Sequence, residues 1–404
     1  MRNALLVALG LAAAVAAADS KPKVRAITAF VRIDAQNYEG QVREAAQFLN
    51  AARDDYRAAG FDVETIRIAT QPVAEYIKGM PRAEAVAFVR KYGELAQKLG
   101  ATPNMGALLV DENESREAVD AAIEVLASTK INGSLIIASE NGIRWKSVRE
   151  AARVIKAVAA QSSNGGGNFN FAATAMVKPY GPFYPGSYHT GAGKTFSVGL
   201  ESANVVAEVF AQTHDAGSAQ ARLSEALSRY LKPAEAAARR VAAKSGWTYA
   251  GIDPTPAPLG DVSIGSAIES FTGGPFGSGG TMTAAAIITR AVQSIAVQQV
   301  GYSGLMVPVL EDNVLARRWA EGTFNIDSLL AYSAVCAGGL DTVPLPGDVT
   351  EEQIARILGD VASLAYKWRK PLAARLVPAP GKKPGDRTSF EDSRMANTLV
   401  QRIR

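Results

Sequence analysis

The chain reads as an α/β protein in which a sheet is covered by helices. Three observations carry that reading. Short β-rich apolar runs alternate with longer stretches of helical spacing through the first 160 residues. Gly60 and Gly100 close two of the helical stretches, as helix ends require. Of the 404 residues 48% are hydrophobic and 20% charged, enough to fill one large core or two medium ones.

Taken in order, the chain opens with Met1-Arg2-Asn3, an alanine-rich apolar run and small residues at 16–18. That pattern predicts a secretory signal peptide over residues 1–18, with the mature chain starting at Asp19 and residues 19–404 forming one domain in the periplasm or the medium. No other stretch is long and apolar enough to anchor it in a membrane. Residues 24–33, 62–68, 105–110 and 134–139 read as strands. Residues 41–59, 82–99, 116–128 and 146–160 read as the helices between and after them, the third capped by Ser115. The stretch 162–168, with two serines, two asparagines and three glycines, reads equally as a linker or a long loop. A strand over 169–177 leads into 178–193, which is too irregular for a core element and too aromatic for a free linker. It suits a loop packed over a site. A strand over 196–200 ends at Glu201, with Ser202 placed to cap a helix from Ala203. The helical region 223–243 is interrupted at Pro233. A strand over 247–252 runs into Asp253 and a loop stiffened by Pro254, Pro256 and Pro258. Residues 305–310 read as a strand delivering Glu311 and Asp312 to a helix over 314–319. Ile354, Ile357, Leu358, Val361 and Leu364 share one helical face, ended by Pro371, and 372–377 is the last strand.

The formal net charge is +4, yet no cluster of Lys and Arg stands out, so nucleic acid is not an expected partner. One cysteine excludes an internal disulfide and a cysteine-cage zinc site. With only His189 and His214 besides, a metal site would rest on carboxylates and would suit Mg²⁺ or Ca²⁺. Glu201, Asp253, Glu269, Asp312, Asp341 and Asp348 all stand at expected strand ends or in Gly/Pro-rich turns. There they serve either as turn and capping acids or, if they converge, as acid/base groups or cation ligands.

The stretch 268–281 holds five glycines, a proline and several hydroxyls ahead of a helix expected over 284–295. Backbone N–H groups beside glycines, with a helix N-terminus behind them, suit a polar or anionic ligand. Gly274, Gly279 and Thr281 fall on phosphate-loop spacing, but Gly280 stands where the lysine belongs. Residues 191–195 imitate the same motif, although Tyr188 replaces its first glycine and a strand follows instead of a helix. Thr272, Gly277, Ser278, Gly279 and Gly280 are therefore candidate binding residues, with Glu269 at the loop's mouth as the first candidate for acid/base work. Cys336, followed by Gly338, Gly339 and Asp341, is either a nucleophile or a small buried hydrophobe. His189 is the one histidine placed to assist it through the fold.

Phe169-Asn170-Phe171, Gly199-Leu200-Glu201-Ser202, Gly251-Ile252-Asp253, 276–281, 336–344 and Pro380-Gly381-Lys382 together resemble domain-of-unknown-function family 711, over essentially everything after the signal. The resemblance implies a pyruvate formate-lyase-like barrel of two half-sheets with helices outside. It also implies an interior loop, for which the segment around Cys336 is the candidate, and it adds Lys382 to the binding residues. Glycyl-radical chemistry does not come with it. Residues 390–404 contain no glycine, and Val300-Gly301-Tyr302 is only a fragment of the radical motif, about a hundred residues too early.

The expected function is an exported enzyme acting on a small polar or anionic substrate by acid/base chemistry, with or without a divalent cation. Cys336, Asp341, Glu269 and His189 are its candidate catalytic groups, and Glu201 and Asp253 join the binding residues. The alternative is a non-catalytic periplasmic binder of small molecules. The oligomeric state stays open, a homo-oligomer included.

Overall fold

A computed structural model describes residues 21–109 and 116–403. The expected signal peptide, Val110 and the expected cap Ser115 lie outside the described residues.

Ten strands form one sheet. β1 (Lys23–Val31), β2 (Val63–Thr70), β3 (Ala101–Ala107), β4 (Asn132–Ser139) and β6 (Phe171–Ala175) lie side by side and parallel. The short β5 (Gly142–Ile143) folds back on β4. β7 (Thr195–Glu201) runs antiparallel to β1 and carries β8 (Thr248–Asp253) beside it. At the other end β10 (Leu372–Ala379) runs antiparallel to β6 and carries β9 (Gly339–Pro346). The expected two half-sheets are thus one group of five strands flanked by two pairs of opposite direction. β8 and β9, the edges, do not pair with each other. The chain between them spans the gap: Val300 N–H donates to Ile252 O at 3.1 Å, and Val309 N–H to Asp341 O at 3.0 Å.

Helices pack outside. α1 (Tyr38–Ala58), α3 (Arg82–Lys98), α4 (Arg116–Ser128) and α5 (Trp145–Gln161) each present an apolar face, while α2 (Val73–Tyr76) is a single turn after β2. α6 (Ala203–Gln212) and the long α7 (Ala216–Ser245) follow β7. α7 runs straight through Pro233, against expectation. Proline removes one N–H, but Leu223, Leu227, Leu231, Ala234, Ala238 and Val241 continue a single buried stripe across it, and packing outweighs the lost bond. α8 (Ile264–Thr272), α9 (Thr281–Gln293), α10 (Asn313–Glu321), α11 (Ile326–Ser333) and α12 (Glu351–Trp368) complete the shell. One continuous apolar core fills the space between helices and sheet.

Residues 162–168 are not an interdomain linker. They run into a kinked 3-10 helix (Ser163–Asn170) that joins α5 to β6, and Gly165 has φ 78° with Pro378 O only 2.2 Å from where a Cβ would stand. Residues 305–310 are not a strand. Ser303 sits at φ 50° and Pro308 has no N–H to give, so only an isolated bridge from Pro308 to Asp341 forms. The residues expected to turn after Cys336 instead begin strand β9, an edge position where Pro344 and Pro346 are tolerated.

The interior is occupied by residues 178–193 rather than by the segment around Cys336. Thr28 Oγ1 donates to Pro182 O at 3.0 Å, Asn104 Nδ2 to Pro185 O at 2.9 Å, and His189 N–H to Thr70 O at 2.9 Å, so the inner faces of β1, β3 and β2 grip this loop. Gly199 leaves room for Phe183, whose ring would lie 2.8 Å from a Cβ there.

Candidate functional site

Beneath this loop, at the N-terminal ends of the parallel strands, lies a cavity of about 100 Å³. That is space for a few waters or one small molecule. Its polar wall comes from strand residues that alternate inward: Arg25 on β1, Thr65 and Arg67 on β2, Thr102 on β3, Asn132 on β4 and Arg375 on β10. Phe169, Phe183, Tyr184 and Tyr302 supply the apolar part, and Arg394 closes one side.

The buried charges form a chain across the barrel. Arg25 Nη1 donates to Glu64 Oε1 and Oε2 at 3.1 and 3.0 Å and to Glu201 Oε2 at 2.9 Å, and its Nη2 stands 3.9 Å from Glu311 Oε1. Glu311 in turn accepts from Arg375, whose Nε donates to Asp341 Oδ1 at 2.6 Å. Burial raises the Glu201 carboxyl, and its hydrogen bond with Glu64 raises it further, to about 7 against the pull of Arg25. Asp341 is likewise raised by burial, although Arg375 counteracts it.

Arg67 stands apart. It is 9% exposed and has no carboxylate within ion-pair distance among the described residues. Its Nε donates to Thr65 Oγ1 at 3.0 Å, its Nη1 makes a long bond of 3.4 Å to Pro182 O, and its Nη2 makes none. The guanidinium lies over the Tyr184 ring at 4.9 Å. Burial, and then the nearby charge of Arg25, lower it to about 10.

Of the candidates named from sequence, the cavity receives only Asp341, with Glu201 close behind Arg25. Glu269 lies outside the barrel. Ser263 caps α8, and the spacing of Ile264, Ala267, Ile268 and Phe271 carries the helix through Glu269, so the expected loop is a helix–turn–helix. The carboxylate accepts from Arg318 Nε at 2.6 Å, Arg318 Nη2 at 3.1 Å and Phe276 N–H at 2.9 Å. Burial acts to raise its pKa, but these bonds prevail and lower it. Thr272 ends α8, and Gly277, Ser278, Gly279 and Gly280 lie in the turn between α8 and α9, away from the cavity. Thr272 Oγ1 bonds Ile268 O, and Gly277, at φ 103°, would bring a Cβ within 2.3 Å of Thr323 O.

Asp253 is a buried brace. Its carboxylate accepts from Thr255 N–H and Oγ1, Tyr302 N–H and Ser303 N–H, fixing Tyr302 against the cavity, and burial raises it to about 6. Cys336 is buried in the outer core, where its carbonyl accepts from Lys370 Nζ. His189 is fully buried, neither ring nitrogen has a hydrogen-bond partner, and burial lowers it to about 4. Its ring packs against Tyr180, with centroids 5.6 Å apart, and its backbone N–H is held by Thr70 O on β2. Lys382 contributes backbone bonds to Gly347 and Ala379 at the outer end of β10. Among the described residues no three His, Cys, Asp or Glu side chains group as cation ligands, and the acids lining the cavity already face guanidinium groups.

These arginines are not among the residues singled out above, because they form no cluster along the chain. The signal was present in the sequence: Arg25, Arg67 and Arg375 each interrupt an apolar strand, where a charge stays buried only if something neutralises it.

Fold and cavity together define an α/β protein with a helix-covered sheet and a charged interior site. The chain belongs to the family described as Uncharacterised ACR (DUF711), whose model matches residues 17–392. A UPF0210 protein of Pyrobaculum arsenaticum is 31% identical over 346 residues, covering 81% of this chain and 76% of that protein. One from Desulforudis audaxviator is 31% identical over 369 residues, covering 86% and 81%. Among solved structures, the anaerobic ribonucleotide reductase from Thermotoga maritima in complex with dATP and CTP matches at 9% identity and a TM-score of 0.38, over 87% of this chain and 75% of that one. No helix among the described residues is long and apolar enough to cross a membrane.

Proposed function

We propose that the chain is an enzyme acting on a small anionic substrate, bound in the interior cavity by Arg67 and worked on by acid/base chemistry at Asp341. The observation that carries this is the Arg67 guanidinium, buried in the cavity wall and, among the described residues, without a carboxylate within ion-pair distance. A buried cation left in that state costs several kcal/mol, and an anionic ligand is what would offset it. Asp341 lines the same cavity, held as a carboxylate by Arg375, and burial raises it, which makes that carboxylate the better proton acceptor. The proton it takes from a bound anion leaves negative charge on the substrate, opposite Arg67 and Arg375. The acids at the cavity are arginine-paired, so the step is written without a metal.

Calorimetric titration with acetate, sulfate and phosphate tests the binding half. At least one should bind in the wild type and fail in Arg67→Met; equal binding by both proteins refutes it. The chemical half is tested by incubating the protein with a panel of carboxylates and phosphate esters in D₂O. Solvent deuterium should enter a bound C–H in the wild type and not in Asp341→Asn. Binding without exchange assigns the chain instead to the non-catalytic binders, a reading favoured by the existing neutralisation of Asp341 through Arg375. Export rests on the pattern of residues 1–18. N-terminal sequencing of the native protein should return Asp19, and a return of Met1 removes that part of the reading.

A further inference from the structure

Next to the cavity lies a groove of about 510 Å³ between the start of β3, the start of β4 and residues 391–394. The two spaces share Thr102, Asn132 and Arg394 in their walls, so only these side chains separate the groove from the cavity. The groove differs from the cavity in two ways. Its charges cancel, Lys130 and Arg394 against Glu391 and Asp392, so it offers nothing to a second anion. It also carries polar side chains whose hydrogen-bonding capacity is unspent. Asn170 is 8% exposed, yet its amide makes no hydrogen bond among the described residues. The amide of Gln97 and the hydroxyl of Thr102 make none either, and Asn132 only donates, through two long bonds of 3.3 and 3.4 Å. These neutral donors and acceptors are reachable from the groove, and such a row beside a charged pocket is matched by a ligand rich in hydroxyls.

Building on the anion reading above, we propose that groove and cavity form one elongated site. Its ligand is a polyhydroxylated anion, with a carboxylate or phosphate head against Arg67 and a chain of hydroxyls along Thr102, Asn132, Asn170 and Gln97. A sugar acid and a sugar phosphate share this chemistry. The small cavity takes the head alone, and the neutral groove takes the body.

The test compares heads with and without a body by calorimetry on the full chain: acetate against gluconate, and inorganic phosphate against glucose 6-phosphate. The polyol form should bind about tenfold or more tightly than its bare head, the gain that a few net hydrogen bonds give. Whichever pair shows the gain identifies the head. Gln97→Ala, at an exposed position that leaves folding intact, and Gln97→Ala with Asn170→Ala should remove most of the gain while leaving the bare head's affinity unchanged. Equal affinity for bare and polyol anions, or a gain that survives both variants, overturns the elongated site and leaves the anion reading standing. If no anion binds in an Arg67-dependent way, both fall.

Discussion

Two arginines of the same sheet answer opposite questions about buried charge. Arg67 has no carboxylate within ion-pair distance among the described residues, so Arg67→Met should remove a weakly compensated charge and leave the ligand-free protein as stable as the wild type or more so, read as an unchanged or raised Tm. Arg375 holds Glu311 and Asp341, and Arg375→Met leaves both acids buried without it. That should cost about 3–5 kcal/mol, measurable by urea unfolding. The pH dependence has two opposing parts. Glu201 is raised to about 7, so the folded state holds its proton more tightly than the unfolded state does. Its contribution is full below the ordinary carboxylate range and is lost as pH rises toward 7. His189 is lowered to about 4, so its contribution is full above the ordinary imidazole value of about 6.5 and is lost as pH falls toward 4. Glu201→Gln should therefore flatten the decline toward neutrality, and His189→Leu should flatten the decline on the acid side. Thermal melts from pH 4 to 8 check both, and a variant whose profile matches the wild type contradicts its assignment.

Among the elements, the α8–α9 turn shows what the sequence could and could not convey. Its glycines were legible as positions of special geometry. Their purpose was not, because a close backbone approach to Thr323 and a close approach to a ligand make the same demand on residue type. Gly277→Ala should cost more than about 1 kcal/mol through strain alone, since φ 103° and the Thr323 carbonyl both oppose a side chain. Glu269→Gln should lower stability by roughly 1 kcal/mol through the weakened bond to Arg318, while anion affinity stays unchanged. A loss of binding in that variant would return Glu269 to the site. The strand–helix order of the first half was readable because each helix carries its own apolar stripe and each parallel strand its own apolar run. β9 and the cavity were not. An edge strand tolerates glycine and proline that read as a turn, and inward-facing arginines become neighbours only once distant strands pair.

Over the whole molecule, the weakest line of the sheet is the gap between β8 and β9, crossed by residues 298–310 with few backbone bonds. Amides of Val300 and Val309 should exchange with solvent faster than those of Ile27 and Ile68 in the central strands, by hydrogen exchange under native conditions. Equal protection would mean that the crossing segment is as firm as a strand. The strand order has a second consequence, in time rather than space. β10 is the last strand to leave the ribosome, and it settles between β6 and β9 carrying Arg375, the guanidinium that links Glu311 to Asp341. Until it arrives, Arg25, Glu64 and Arg67 face water from an unfinished wall, and Asp341 has no cation to meet. The interior is therefore dehydrated in one late event that joins residues more than 300 positions apart, a slow, long-range closure. A nascent chain halted before residue 372 would present a hydrated, charged trough in place of a site, and would carry the sequence of nearly the whole barrel without being able to close it.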